Sequence, residues 1–190
     1  MGHRTLTELE DALDEITGAP VDEGRVAMVV RRPANGEREV LDEGVLDLTE
    51  GLVGDNWLAR GDRRVADGAA NPLAQLNVMN VRMSRFIARD LDHQAMAGDQ
   101  FHVDLDLSHA NLPPGTRLAL GSAVIEITDK PHIGCAKFVA RFGRDAMRFV
   151  NSPQGRELRL RGLNARVVVP GTVRPGDTIR KLAPPAGAGG

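Results

Sequence analysis

Glycine and proline divide this chain into short apolar runs. The 190 residues include 21 Gly and 11 Pro, and turn-forming residues bound the β-branched runs at 26–31, 123–128 and 166–169. Residues 101–107 alternate apolar with polar side chains, which predicts a strand with His102 on its polar face. Many short strands and few helices predict a mostly β fold, a barrel or a sandwich with helices on its rim.

Two helical segments are predicted. The first is residues 5–17, an acidic amphipathic helix for which Thr7 and Glu10 have the spacing of a capping box; we expect it to pack on the body of the protein or on a partner. The second follows Cys135 for about 16 residues, with an interruption at Gly143 and an end at Ser152-Pro153. Its phenylalanines have the spacing of a buried helix stripe: Phe138, Phe142 and Phe149.

The composition predicts a cytoplasmic protein. The chain is 42% hydrophobic, enough for an ordinary core, and none of its apolar runs approaches the length of a membrane span. It has one cysteine, so no internal disulfide can form, and its N-terminus has no apolar centre typical of a signal peptide. The polar stretch 59–71 has few apolar anchors, which predicts a loop and, beside a site, a lid.

Positive charge is concentrated in the last third of the chain. Between residues 130 and 181 there are 12 Lys and Arg against three acids, although the whole chain has a net charge of −2. This asymmetry predicts an anionic ligand. Nucleic acid is disfavoured, because one Trp and no Tyr leave few aromatic platforms for stacking bases. A small, highly charged ligand fits better.

Cys135 lies in the segment richest in reactive and charged groups. His132 precedes it by three residues, and Lys137, Arg141 and Arg144 follow it. Cationic neighbours favour the thiolate, which attacks electrophiles and binds soft metals. A free cysteine is also often a small buried core residue, so a purely structural role stays open. A structural zinc site is disfavoured, because the other histidines are scattered along the chain.

Several segments occur in an order that is more specific than any one of them. A strand of the form Gly-x-Ala at 121–128 is followed by His132-Ile-Gly-Cys135, a helix and the closing segment 161–177. Upstream lie Gly98-Asp-Gln-Phe101 and the turn at 112–118. Together these segments resemble the MOSC domain, found at the C-terminus of molybdenum cofactor sulfurases and as free-standing bacterial proteins.

The resemblance covers about residues 25–182. It implies a MOSC-like β-barrel, similar to the barrel of pyruvate kinase, over that range. Residues 1–24 would then form the N-terminal helix and a linker, and residues 183–190, rich in Gly, Pro and Ala, are expected to be disordered.

The resemblance also implies a function. Family members bind a molybdopterin-type molybdenum cofactor, carry sulfur on the motif cysteine, or reduce N-hydroxylated compounds at a cysteine-ligated molybdenum. Cys135 would be the metal ligand or sulfur carrier. His132 stands where many relatives have arginine, so it would supply charge or donate a proton. The cofactor would contact a cationic shell and the Gly98–Phe101 segment, through Lys137, Arg141, Arg144 and Asp99.

The implied partners are the small anionic cofactor and a sulfur donor or redox protein. Two alternatives stay open at this point. In one, Cys135 carries persulfide without a metal. In the other, the protein is a non-catalytic anion-binding or cofactor-binding module and Cys135 is structural.

Overall fold

The computed structural model describes residues 2–183, which form eleven strands and seven helices. The strands are β1 Glu23–Arg31, β2 Glu39–Leu41, β3 Gly44–Asp47, β4 Gly51–Leu52, β5 Leu76–Asn80, β6 Phe101–Asp104, β7 Arg117–Leu120, β8 Ala123–Ile127, β9 Leu163–Val169, β10 Gly171–Val173 and β11 Thr178–Lys181. The helices are α1 Leu6–Asp11, α2 Leu13–Thr17, α3 Trp57–Arg60, α4 Val81–Ile87, α5 Leu91–Ala95, α6 Ala136–Asn151 and α7 Pro153–Glu157.

Seven of the strands close into a barrel. Their order is β11-β7-β8-β9-β5-β6-β1, and β1 also pairs with β11, so the sheet returns to its starting edge. All pairings around the barrel are antiparallel except that of β5 with β6, which is parallel. Closure removes the exposed sheet edges that a sandwich would leave. The prediction of a mostly β barrel with flanking helices is therefore confirmed.

Alternating apolar side chains fill the barrel. In β8, for example, Ala123, Ile125 and Ile127 are buried while Val124 and Glu126 between them are partly exposed. The strands also contribute fully buried large side chains to this core: Leu76, Val78, Phe101, Val103, Leu118, Leu120 and Ile179. Burial of such side chains contributes about 1.5–3 kcal/mol each and is the main stabilising term of the fold.

The alternation rule fails for His102, which is completely buried and not on an exposed polar face. Helix α4 packs against β6, and α5 packs on α4. There the His102 Nδ1 atom lies 2.9 Å from the Ser84 hydroxyl, which also accepts a hydrogen bond from Gln94. A strand covered on both faces carries no exposed side chains in its centre, whatever its pattern.

The N-terminal helix is broken in two, and its N-cap lies two residues earlier than expected. The capping box consists of Thr5 and Glu8, because the Thr5 side chain accepts from the Glu8 amide and the Glu8 carboxylate accepts from the Thr5 amide. The predicted capping box of Thr7 and Glu10 was wrong. Both pairs are three residues apart, so the spacing alone could not distinguish them. Helix α1 packs on α6, with Leu9 fully buried in a second core.

Helix α6 begins after Cys135 and matches the predicted length and interruption. Gly143 has φ 90°, and a Cβ at this position would come within 2.8 Å of His3. Positive φ and this close approach both favour glycine. The three phenylalanines of the helix are buried, as expected from their spacing: Phe138, Phe142 and Phe149.

A three-stranded sheet, in the order β10-β3-β4, lies beside the barrel. No described helix combines the length and the apolar character needed to cross a lipid bilayer. The expected disordered tail lies almost entirely outside the described residues, which end at residue 183.

Candidate functional site

Cys135 is held at the start of α6 by a loop that side-chain hydrogen bonds fix in place. Its backbone is extended, with φ −130°, and its carbonyl accepts from the amides of Phe138 and Val139. The loop that leads to it is fixed from two sides. Asn151 accepts from the Gly134 amide at 3.0 Å, and Asn164 donates to the Lys130 carbonyl at 2.9 Å. The thiol itself is exposed, which is the accessibility that a ligand or nucleophile requires.

Two adjoining cavities meet at Cys135. We call the smaller one, of about 330 Å³, the inner chamber, and the larger one, of about 980 Å³, the outer chamber. Both are lined by His132, Cys135 and Lys137. The inner chamber extends toward the end of β1 and the start of β9, and it alone is lined by Arg32, Arg38, Arg141 and Arg161. A ligand at the thiol can therefore contact groups in both chambers.

Buried ion pairs fix two arginines of the inner chamber. Arg32 donates to both carboxylate oxygens of Asp55 at 2.8 Å, and their side chains are 6% and 0% exposed. The guanidinium of Arg161 donates to Asp99 at 2.6 Å and to the Ala97 carbonyl at 3.0 Å. Its Nε atom is buried and has no hydrogen-bond partner within residues 2–183. An anionic acceptor in the chamber would satisfy this donor.

Two further cations crowd the same chamber. Burial, followed by the nearby charges of Arg141 and Arg32, lowers the pKa of Arg38 to about 10. Burial also lowers the pKa of Arg141, although Cys135 opposes this change, and Arg141 donates to the Met96 carbonyl at 2.6 Å. Both remain charged at neutral pH. Cations that disfavour one another in this way are stabilised when an anion binds between them.

His132 is neutral in this environment. Burial, and then the charges of Arg161 and Arg32, hold its pKa well below 6.5. Its Nδ1 atom lies 3.3 Å from the Asp99 Oδ1 atom, but the two are not aligned for a hydrogen bond. Burial raises the pKa of Asp99, and Arg161 opposes that rise. His132 can thus donate a hydrogen bond from one ring nitrogen and accept one at the other, but it supplies no positive charge.

The outer chamber is lined by the loop after α3. Arg60, Arg63 and Arg64 are exposed on this side of Cys135, and Arg60 and Arg64 also border the inner chamber. Across from them, Lys130 lies 3.7 Å from Asp62. The loop predicted at 59–71 therefore does form a wall of the site. Its function as a lid remains a prediction.

The structure brings most of the predicted site residues together. Cys135, His132, Lys137 and Arg141 share the inner chamber, and Lys137 donates to Asn35 at 2.6 Å. Asp99 does not line either chamber; it is fully buried behind Arg161 and His132. Arg144 is exposed and lines neither cavity, so nothing in the geometry supports a contact between it and a ligand at Cys135.

Sequence reasoning missed most of the arginines in the chambers. Arg32 follows a β-branched run and Arg161 opens the closing family segment, but neither has a local pattern that distinguishes a buried arginine from a solvated one. Their burial depends on Asp55 and Asp99, which are distant in sequence. The only available signal was an arginine count far above that of lysine.

Comparison with known proteins agrees with this architecture. A family model described as the MOSC domain matches residues 62–180, more than half of the chain. No curated protein sequence matches significantly. Among solved structures, the YuaD protein from Bacillus subtilis is 18% identical with a TM-score of 0.56, and the match covers 83% of this chain and 94% of that one.

A second fold match is YiiM from Escherichia coli, which is 19% identical with a TM-score of 0.54; the match covers 84% of this chain and 70% of YiiM. These identities are low, and the two structures support the fold alone. The family rests on the sequence model and on the residues that it matches, which include Cys135 and the strands from β5 to β11. The chain belongs to the MOSC domain family.

Proposed function

We propose that this protein binds a molybdopterin-type molybdenum cofactor, with the Cys135 thiolate as its metal ligand and the inner chamber as the seat of its anionic part. The observation that carries the proposal is the position of an exposed thiol beside a chamber lined by six arginines, two of which, Arg38 and Arg161, have a buried Nε atom without a hydrogen-bond partner among the described residues. Bound there, the cofactor would supply the redox or sulfur chemistry associated with the family.

A single protein thiolate suits a cofactor whose own dithiolene supplies most of the ligands of its metal. Thiolate is a soft ligand suited to a thiophilic metal. Within residues 2–183 no group of three His, Cys, Asp or Glu side chains is placed to hold an ion. A bare metal ion would be poorly held by one thiolate, whereas a dithiolene cofactor needs only one further protein ligand.

The inner chamber also fits the phosphate of such a cofactor. Arginine recognises phosphate by paired N–H donors, and this geometry is strongest where the guanidinium is fixed. Asp55 fixes Arg32 but takes up its paired donors, whereas Asp99 fixes Arg161 and leaves its Nε–H free for an anion. Asp99 is therefore assigned a positioning role, because it contacts Arg161 and lies too deep to touch a ligand.

His132 is the proposed proton donor or acceptor next to Cys135. It lines both chambers and is neutral, so one ring nitrogen would first accept a proton and then pass it on, and the ring would not act as a fixed cation. Two reactions use such a group: reduction of an N-hydroxylated compound, in which the leaving hydroxyl needs a proton, and sulfur transfer through Cys135 from a donor protein. We propose the protein as an oxidoreductase or sulfurtransferase on this basis.

The alternative of a binding module with a structural Cys135 is less favoured. A structural cysteine is normally buried among apolar side chains, whereas this thiol is exposed. Cofactor-dependent chemistry therefore explains more of the geometry than simple anion binding does.

The experiment is metal and pterin analysis of protein purified from a host that makes the cofactor. Wild type is compared with Cys135→Ser, and circular dichroism checks that both are folded. We expect near-stoichiometric molybdenum in wild type and a loss of most of it in the variant. Molybdenum retained at the wild-type level by a folded variant would remove Cys135 as ligand. Absence of molybdenum from both proteins would overturn the proposed function.

A further inference from the structure

The outer chamber has an excess of positive charge, and two of its cations, Arg63 and Lys130, do not line the inner chamber proposed for the cofactor. Its charged lining comprises five cations, Arg60, Arg63, Arg64, Lys130 and Lys137, and one carboxylate, Asp62. The carboxylate is already engaged by Lys130. None of the three loop arginines takes part in an ion pair within residues 2–183. We propose that the outer chamber is a subsite for an anionic group on the substrate.

The loop that carries these arginines is ordered by its own hydrogen bonds. The Asp62 amide donates to the Ala69 carbonyl at 3.0 Å, and the Asp62 carboxylate accepts from the Arg64 amide at 3.0 Å. Gly61 has φ 64°, and a Cβ there would lie 2.1 Å from the Gly68 carbonyl oxygen, so the loop closes tightly on itself. The backbone thus presents Arg63 and Arg64 at a defined place on the chamber wall.

Charge in a cleft acts on approaching ligands more strongly than the same charge on a flat surface. Low-dielectric walls focus the field and raise the local concentration of counter-ions by about 10-fold to 1,000-fold. Screening limits this effect to about 8 Å at physiological ionic strength. Cys135 lines the same chamber as the loop arginines, so an anionic ligand drawn to them is brought to the thiol.

The two chambers differ in the kind of anion that they suit. The inner arginines are buried and held by carboxylates, which suits a resident group that seldom leaves. Arg63 and Arg64 in the outer chamber are exposed and have no ion-pair partner among the described residues, which suits a ligand that binds and departs in each turnover. The substrate class follows: a compound with a carboxylate or phosphate group near its reacting atom. This assignment rests on the proposed function for the reaction at Cys135.

Selective alkylation of the single cysteine tests the subsite without the cofactor. Full-length protein from a host that does not make the cofactor is treated with iodoacetate, which is anionic, or iodoacetamide, which is neutral. In each case the thiolate forms a carbon–sulfur bond and iodide leaves. Because both reagents react with the same thiolate, the ratio of their rates cancels any change in thiolate fraction. We expect the ratio, relative to a small free thiol, to be raised about tenfold.

A matched pair of variants distinguishes the effect of the subsite arginines from the effect of the protein's net charge. Arg63→Gln/Arg64→Gln should lower the ratio by roughly threefold or more. Arg85→Gln/Arg148→Gln makes the same charge change at exposed positions outside both chambers and should leave it unaltered. A wild-type ratio equal to that of the free thiol, or an equal fall in both variants, would overturn the proposal.

Competition identifies the anionic group. At matched ionic strength, protection of Cys135 from iodoacetate that is weakened in Arg63→Gln and kept in Arg38→Gln/Arg141→Gln is assigned to the outer chamber. Such protection by inorganic phosphate alone indicates a phosphate-bearing substrate, and by acetate alone a carboxylate. Protection by neither anion contradicts the subsite. The molybdenum assay is independent of these results: a raised alkylation ratio in a protein that never binds molybdenum would preserve the subsite and remove the proposed function.

Discussion

The inner and outer chambers place arginines around the same thiol in opposite ways. In the inner chamber, Arg32 and Arg161 are buried and each is bonded to a carboxylate that is completely withdrawn from solvent. In the outer chamber, Arg63 and Arg64 are exposed on a loop and have no acidic partner among the described residues. The first arrangement costs desolvation energy and gives fixed geometry, and the second gives attraction without fixed geometry.

The contrast between buried and exposed arginines should have its largest effect on the free energy of unfolding. Arg32→Gln leaves Asp55 buried without its charged partner, so we expect the free energy of unfolding to fall by about 3–5 kcal/mol. Arg63→Gln should change it by less than about 0.5 kcal/mol, because an exposed side chain without a partner contributes little. Urea unfolding of both variants measures this contrast. Equal small effects would mean that the Arg32–Asp55 pair is not buried as described.

Acid should weaken the fold through two buried imidazoles, His102 and His132. Burial lowers the pKa of His102 to about 3, and His132 is shifted in the same direction, whereas the loop 59–71 has no histidine. The unfolded chain then binds more protons than the folded one below pH 6.5, so stability falls as the pH falls toward 3. His102 alone should contribute a loss of about 2 kcal/mol between pH 7 and pH 5.

Urea unfolding at the two pH values tests this effect. His102→Gln should remove its share of the pH dependence, and the exposed His3→Gln serves as the control that keeps it. An unchanged pH dependence in His102→Gln would show that this imidazole titrates normally in the folded protein.

Cofactor retention should depend on the inner chamber. Arg38→Gln/Arg141→Gln removes two cations next to Arg161, and we expect roughly tenfold weaker retention of molybdenum, equivalent to about 1.4 kcal/mol. Dialysis followed by metal analysis measures the loss. Arg63→Gln/Lys130→Gln makes the same charge change at residues that line the outer chamber and not the inner one, and should retain the metal. A larger loss of molybdenum from the outer-chamber variant than from the inner-chamber variant would mean that the cofactor's anionic part binds in the outer chamber.

The smallest effect concerns the one carboxylate of the outer chamber. Asp62→Asn removes the partner of Lys130, and because this pair is partly exposed it should cost less than about 1 kcal/mol of stability. The same change frees a cation, so the ratio of iodoacetate to iodoacetamide alkylation should rise modestly. A lower ratio in Asp62→Asn would indicate that the carboxylate acts by ordering the loop and not by neutralising charge.

Local patterns predicted the parts of this structure that depend on neighbours in sequence. The short strands, the break at Gly143 and the position of Cys135 before α6 were all readable, because glycine, proline and apolar spacing act within a few residues. The capping box was assigned to the wrong threonine, since Thr5–Glu8 and Thr7–Glu10 are equivalent in spacing and only packing on α6 selects the first.

Residues whose surroundings come from distant segments could not be predicted. His102 was assigned to an exposed face because α4, whose Ser84 contacts it, leaves no trace in the alternation of β6. Arg161 meets Asp99 across 62 residues, so its buried state depends on barrel closure. The thiol of the site was therefore visible in the sequence, and its arginine shell was not.

The central claim is that the Cys135 thiolate is a ligand of molybdenum. Iodoacetamide, which is neutral and does not respond to the chamber charges, should alkylate Cys135 in cofactor-free protein and fail to do so in molybdenum-loaded protein. Intact-mass analysis is unambiguous here because the chain has one cysteine. We expect the loaded fraction to match the protected fraction. Alkylation at the same rate in both forms, with the metal retained, would contradict ligation by Cys135.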